Sequence, residues 1–269
     1  MSDTFLESLA ARPLFEPIAG WLRAFGGEEP PDASVLNAVL GSMPAPPRAA
    51  SGVPIRFVLP DGGSAGYETR VHAQGEVETR PGNWHDFFNA LAWLAYPQTK
   101  RILNGSHHAA LQAQRAAGRG ERGAVRDAVT QFDECGIVVA SASASLVCLL
   151  RAHAWKELFW QRRTQVAREM RFFVFGHATW DQLRTPFVGL TAKAVFLEVE
   201  TSWLAWPLPQ QVVDVDVRLA ALFSQPDAYA RPRDFQPLPL LGIPGLTAEN
   251  VDSAYYDDTR QFRPKRLAC

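Results

Sequence analysis

Between residues 67 and 97 the apolar pattern changes period, and no other stretch limits the fold as strongly. Residues 67–80 read YETRVHA, then Gln74-Gly75, then EVETR, an alternation around a turn that predicts a β-hairpin. After Pro81-Gly82-Asn83 the spacing becomes helical. Phe87, Phe88, Leu91, Trp93 and Leu94 form the apolar side of an amphipathic helix that Pro97 stops. A chain that carries both periods side by side builds strands and helices together.

The same reading extends outward. Residues 5–25 have near-helical spacing interrupted by Pro13 and Pro17, and a Gly/Glu/Pro breaker at 26–31 precedes a short helix capped by Asp32. Residues 55–59 read as a strand and 99–117 as a helix. Segments 124–130 and 132–136 lead into a strand at 137–140, and 145–171 reads as one long helix with an aromatic face at Trp155, Phe159 and Trp160. Further strands fall at 171–176 and 194–200. The expected fold is α/β (α+β): central strands with surrounding helices, a hairpin followed by a helix, and a proline-rich C-terminal wrap. It is expected as one globular domain, with a helical part at 1–53, a core at 54–225 and the wrap at 226–269.

Composition bounds the function classes. Apolar residues make up 47% and charged residues 20%, which suits a packed core. The 27 basic residues balance 28 acidic ones to a net charge of −1, so bulk attraction to nucleic acid is not expected. No apolar run approaches the roughly 18 residues of a membrane span. The acidic N-terminus lacks the basic start of a signal peptide, and three cysteines without CxxC spacing make a poor disulfide framework. These features predict a cytoplasmic protein.

Candidate chemistry lies where imidazoles accompany carboxylates: His85-Asp86, His107-His108, His153 and His177, with Asp133 and Glu134 between. Imidazole is the commonest transition-metal ligand, and a metal requires three or four such groups to converge. On residue types alone, without a ligand-spacing motif, a divalent metal is the candidate cofactor, with His85, His107, Asp133 and Glu134 as candidate ligands. His85, Asp86, His153 and His177 are the candidate catalytic groups. Asn89 shares a helix face with His85, and Arg119 and Arg122 sit in a glycine-rich loop; these three are candidates for binding a small anionic substrate. Each histidine is equally served by a hydrogen-bonded place at a helix or strand end. Cys135 follows two acids, which raise rather than activate a thiol.

Several blocks carry a wider resemblance. They are 83–100 with Leu103-Asn104 and His107, then 130–134 with Gly136, then 153–160, Phe175-Gly176-His177, 241–245 and 256–259. In these the chain resembles the bacterial family catalogued as domain of unknown function 3025. The resemblance implies one shared architecture over most of the chain and brings no assigned activity. The leading expectation is a metal- or His/Asp-dependent hydrolase acting on an anionic substrate. A non-catalytic binding or interaction protein with structural histidines is the alternative. A further one is a His-Me-finger-like nuclease, with His72 on the hairpin and Asn89 or His85 on the helix.

Overall fold

The computed structural model describes residues 3–62, 66–117, 123–225 and 228–265. Three helices open the chain: α1 (Phe5–Ala10), α2 (Ala19–Phe25) and α3 (Ala33–Ser42). A short strand β1 (Arg56–Val58), helix α4 (Tyr67–Gln74) and strand β2 (Glu76–Glu78) follow, with β1 and β2 pairing in parallel. Next come α5 (Trp84–Ala95), α6 (Pro97–Ala116) and α7 (Ala124–Cys135). Strand β3 (Gly136–Ser141), α8 (Ala144–Arg151), α9 (Arg163–Glu169), strand β4 (Met170–Val174) and α10 (His177–Arg184) lead to strand β5 (Thr191–Glu198). After it come α11 (Leu208–Phe223), strand β6 (Gln236–Pro239) and short 3-10 turns. The fold is mixed α/β, and no helix among the described residues is long and apolar enough to cross a membrane.

The main sheet runs β4-β3-β5-β6, with β3 and β5 parallel and both flanking pairs antiparallel. Every residue of β3 is buried, as its unbroken apolar run Ile137-Val138-Val139-Ala140 requires. The β3–β4 register sets Ile137 opposite Val174. The segment just before β3 and the segment just after β4 therefore meet at one end of the sheet, and the functional groups collect there.

Four sequence expectations need correction. Residues 67–80 are not a hairpin: 67–74 form α4, and Gly75 is its left-handed cap at φ 71°. The alternation YETRVHA also satisfies helical spacing, and Gln74-Gly75 is a helix end rather than a strand turn. The strand-strand-helix order of a His-Me finger is therefore absent; His72 lies on α4, its ring stacked on His108 with centroids 3.8 Å apart. Residues 124–135, read as leading into the strand, form α7 directly before β3. Residues 145–171 are not one helix, because His153 takes φ 57° and a π-helical turn at Glu157–Gln161 precedes α9. The C-terminal wrap is largely turns and 3-10 helix, but β6 enters the sheet beside β5.

Candidate functional site

A cleft of about 680 Å³ is walled by α4, α5, α6 and α7, with the start of α10 at its inner end. His85, Asp86, Asn89, His107, Asp133, Glu134 and His177 all line it. His153 does not: its ring packs at a tilt of 32° against Trp155 and its Nδ1 faces the Arg263 carbonyl at 3.2 Å. Arg119 and Arg122 lie outside the described residues.

Three side chains come closest together. His85, Glu134 and His177 each present a ligand-type atom, and these atoms all lie within 4.8 Å of one another. His177 Nε2 is 3.2 Å from His85 Nε2 and 3.4 Å from Glu134 Oε2. His85 Nε2 is 3.8 Å from the same Glu134 oxygen. The side chains of His85 and Glu134 are 39% and 37% exposed, whereas His177 is 5% exposed, so the cluster opens toward the cleft on one side only.

Local structure explains the meeting. Glu134 is in the last turn of α7, and His177 begins α10 immediately after β4. Phe175 and Gly176 both donate backbone N–H groups to the Gly136 carbonyl, which ties the two segments together. His85 stands in the first turn of α5, whose N-terminus is capped by the Asn83 side chain accepting from the Asp86 N–H at 3.0 Å. Trp84 anchors that end, packed edge-on to Phe5 and covered by the Arg184 guanidinium 4.5 Å from its ring centre.

The other sequence candidates are bound into supporting contacts. Asp86 is buried, and both of its oxygens are taken by Arg80: Oδ2 accepts from the backbone N–H and Nε at 2.9 and 2.7 Å, and Oδ1 from Nη2 at 2.9 Å. Burial acts to raise this carboxyl, but Arg80 overcomes it and holds it below the usual range. Asp86 thus spends both of its oxygens on Arg80 at the helix start. His107 Nε2 pairs with Thr130 Oγ1 at 3.0 Å, and Asp133 pairs with Lys100. Neither joins the three converging atoms; among the histidines expected only to be catalytic, His177 does.

Sequence reasoning missed the groups between these points. Lys100 is 4% exposed; its Nζ donates to Asn89 Oδ1 at 2.9 Å and to both Asp133 oxygens at 2.6 and 2.8 Å. Asn89 Nδ2 in turn donates to the Tyr67 hydroxyl at 2.7 Å. Glu68 accepts from Asn104 Nδ2 at 3.0 Å. Lys100, Asn104 and His107 are spaced i, i+4, i+7 on α6, a polar stripe that helical periodicity alone can reveal.

Burial and charge set the protonation states. Burial drives His177 down to about 3, against the opposing pull of Asp133, so its ring is neutral. Burial also acts to raise Asp133, but Lys100 and His177 outweigh it and keep the carboxyl below its ordinary value. Glu134 is raised by burial and then by neighbouring Asp133. Glu68 is raised to about 7, first by burial and then by Asp133. Burial pushes the Tyr67 phenol well up, so it keeps its proton.

Fold and site together define a mixed α/β protein whose cleft gathers two imidazoles and a carboxylate at the end of its main sheet. The chain belongs to the family described as Protein of unknown function (DUF3025), whose model matches residues 55–266. Comparison with the curated proteins finds no match, and comparison with the solved structures finds none.

Proposed function

We propose that this protein is a divalent-metal-dependent hydrolase whose metal is held by His85, Glu134 and His177. The observation that carries this reading is the convergence of their three ligand atoms within 4.8 Å of one another on the wall of a large cleft. Two histidines and one carboxylate, with further positions open to the cleft, make a catalytic rather than a structural donor set. His177 is buried and neutral, which leaves a lone pair for a metal, and its Nδ1 faces Asp133 Oδ2 at 4.0 Å. At that distance the carboxylate acts on the ring through its charge, which favours positive charge at the imidazole, rather than through a hydrogen bond. A metal there supplies an acidified water as nucleophile.

The substrate class follows from which cations are free. Arg80 is engaged by Asp86 and Lys100 by Asp133, while Arg126 bonds Gln114 through Nη1 and lines the cleft. Arg126 is the group that meets one anionic substituent of a small substrate. The phenol of Tyr67, held by Asn89, and the carboxyl of Glu68, poised near 7, supply a hydrogen-bond donor and a proton carrier from α4. Free thiols at Cys135 and Cys148 suit a cytoplasmic site of action.

The test is elemental analysis of the purified chain together with His85→Ala, Glu134→Ala and His177→Ala. One equivalent of a divalent metal is expected in the parent and loss of it in each variant, with hydrolysis of small anionic esters lost in parallel. Metal-free protein that rejects added zinc, manganese and iron overturns the reading in favour of a binding protein with structural histidines. Iron paired with oxygen consumption overturns the hydrolase part, since the same donor set serves iron oxygenases.

A further inference from the structure

We propose that the substrate is an elongated molecule with a terminal carboxylate, which Arg126 holds about 12 Å or more from the bond that is cleaved. The inference rests on the metal reading: His85, Glu134 and His177 place the chemistry, and α7 sets the length. Arg126 and Glu134 both line the cleft and both stand on α7, one in its first turn and one in its last. They are eight residues apart. A helix rises about 1.5 Å per residue, which makes about 12 Å along the axis. Helical side chains lean toward the N-terminus and arginine is the longer of the two, so this lean does not shorten the span. Arg126 Nη1 donates to Gln114 Oε1 at 2.7 Å, which ties the guanidinium to the far part of α6. Gln114 is fourteen residues beyond Lys100, whose partner Asp133 adjoins Glu134.

The guanidinium is equipped for one carboxylate. With Nη1 given to Gln114, the edge formed by Nε and Nη2 is left for a two-pronged contact. Nε is buried and has no acceptor among the described residues. Glu68 is an acid on which Arg126 acts, but burial keeps that carboxyl up at about 7, so at neutral pH it does not fully cancel the guanidinium. The first turn of a helix disfavours a cation and favours an anion, and Gly123 has no side chain with which to cap this one. A cation placed there makes sense as half of an anion site. One guanidinium matches one negative charge, which suits a carboxylate better than a phosphate dianion. An extended chain advances about 3.5 Å per three backbone bonds, so about 12 Å corresponds to about ten bonds. The cleft, at about 680 Å³, has room for a molecule of that length, and Leu103, Leu111 and Val129 give its middle an apolar flank.

Calorimetry on zinc-loaded protein with hydroxamates tests this, because the hydroxamate takes the metal and its tail measures the cleft. Acetohydroxamate is the reference, and the probes carry a carboxylate at the end of straight tails of about four, seven, ten and thirteen bonds. Affinity relative to the reference is expected to stay flat for the two short tails and to rise about 10–100-fold from ten bonds onward, the value of a charge-assisted contact. Tails of the same length ending in a methyl ester should show no such rise. Arg126→Gln should bring the ratio for the carboxylate down to that for the ester. A flat series, a full gain already at four bonds, an equal gain with the ester, or a gain kept by a folded Arg126→Gln each overturns the proposal. Should Arg126→Gln not fold by circular dichroism, the carboxylate and ester series on the parent decide. If the parent takes no zinc, or takes it and ignores acetohydroxamate, the metal reading falls and this span with it. If acetohydroxamate binds and the long carboxylate tails add nothing, the span alone falls.

Discussion

Gly176 presses against the backbone of Glu134 so closely that a Cβ at position 176 comes within 2.4 Å of the Glu134 carbonyl oxygen. The same atom meets the Gly136 and Cys135 backbone nitrogens at 2.4 and 2.6 Å. Backbone on all these sides cannot swing away as a side chain can. The absent side chain is what lets His177 and Glu134 share a site.

Gly176→Ala is accordingly expected to push α10 from the end of α7. Overpacking of this kind costs about 1–3 kcal/mol, and the backbone contacts put this case toward the upper end. Urea unfolding reads the loss, and metal titration of the folded fraction should show binding at the His85–Glu134–His177 cluster weakened. A variant with parental stability and parental metal affinity disproves the packing argument.

Asp216 carries the start of α6. Its carboxylate accepts the backbone N–H groups of Gln98 and Thr99 at 2.9 and 2.8 Å, and it is 2% exposed. Asp216→Ala leaves the buried Thr99 N–H and the Gln98 N–H without their partner, a loss of about 1–2 kcal/mol by the usual cost of caps and unsatisfied groups. Denaturant unfolding should show it, with α6 and hence Lys100 and Asn104 loosened. An unchanged midpoint counts against the cap.

Glu68 links pH to stability. The native state keeps its proton up to about 7, while the unfolded chain releases it near the ordinary 4.5. The native state thus binds more protons between these values, and stability falls as pH rises from about 4.5 through about 7. Glu68→Gln should flatten that part of a plot of unfolding midpoint against pH. Identical slopes in parent and variant refute the assignment.

His108 acts with the opposite sign. Burial first, then His72 and Arg115, hold its pKa below the ordinary 6.5. The parallel rings of His72 and His108, inclined by only 4°, resist a proton that the unfolded chain accepts. The stabilising contribution is complete above 6.5 and declines as pH falls below it. His108→Phe keeps a flat ring against His72 without a titrating group, so its acid sensitivity below 6.5 should be smaller than the parent's. Equal sensitivity would mean that the stack is indifferent to charge.

The parts of the fold that sequence made legible are those with one unambiguous period. The helix at Trp84–Ala95 and the buried strand at Gly136–Ser141 have apolar patterns that fit no other element. Residues 67–74 defeated pattern reading because Tyr67, Arg70 and Val71 satisfy helical spacing while the whole run also alternates. Arg70 is buried there among Asp61, Glu76 and Glu78, an ion cluster that polarity alone assigns to a surface. Of the site, the histidines and acids were visible by type, since few residues can bind metal. Lys100, Glu68 and Tyr67 were not, because nothing in a lysine, glutamate or tyrosine on a helix announces that a tertiary neighbour has removed it from water. His153 has neighbours in sequence that resemble those of a site residue, but its contacts are Trp155 and the Arg263 carbonyl and it does not line the cleft.

Strand β6 has a bearing on how copies of this chain coexist at high concentration. The Leu240 N–H donates to the Leu190 carbonyl at the start of β5, and along an extended strand alternate residues point the same way. The backbone nitrogens of Gln236 and Leu238 therefore face β5, and those of Pro237 and Pro239 face outward. Proline has no N–H, so the outward rim of β6 lacks the donors that an incoming strand would need. A bare rim of donors and acceptors is a template for aggregation. Here β6, the last strand of the sheet among the described residues, pairs with β5 and leaves an outer rim poor in donors.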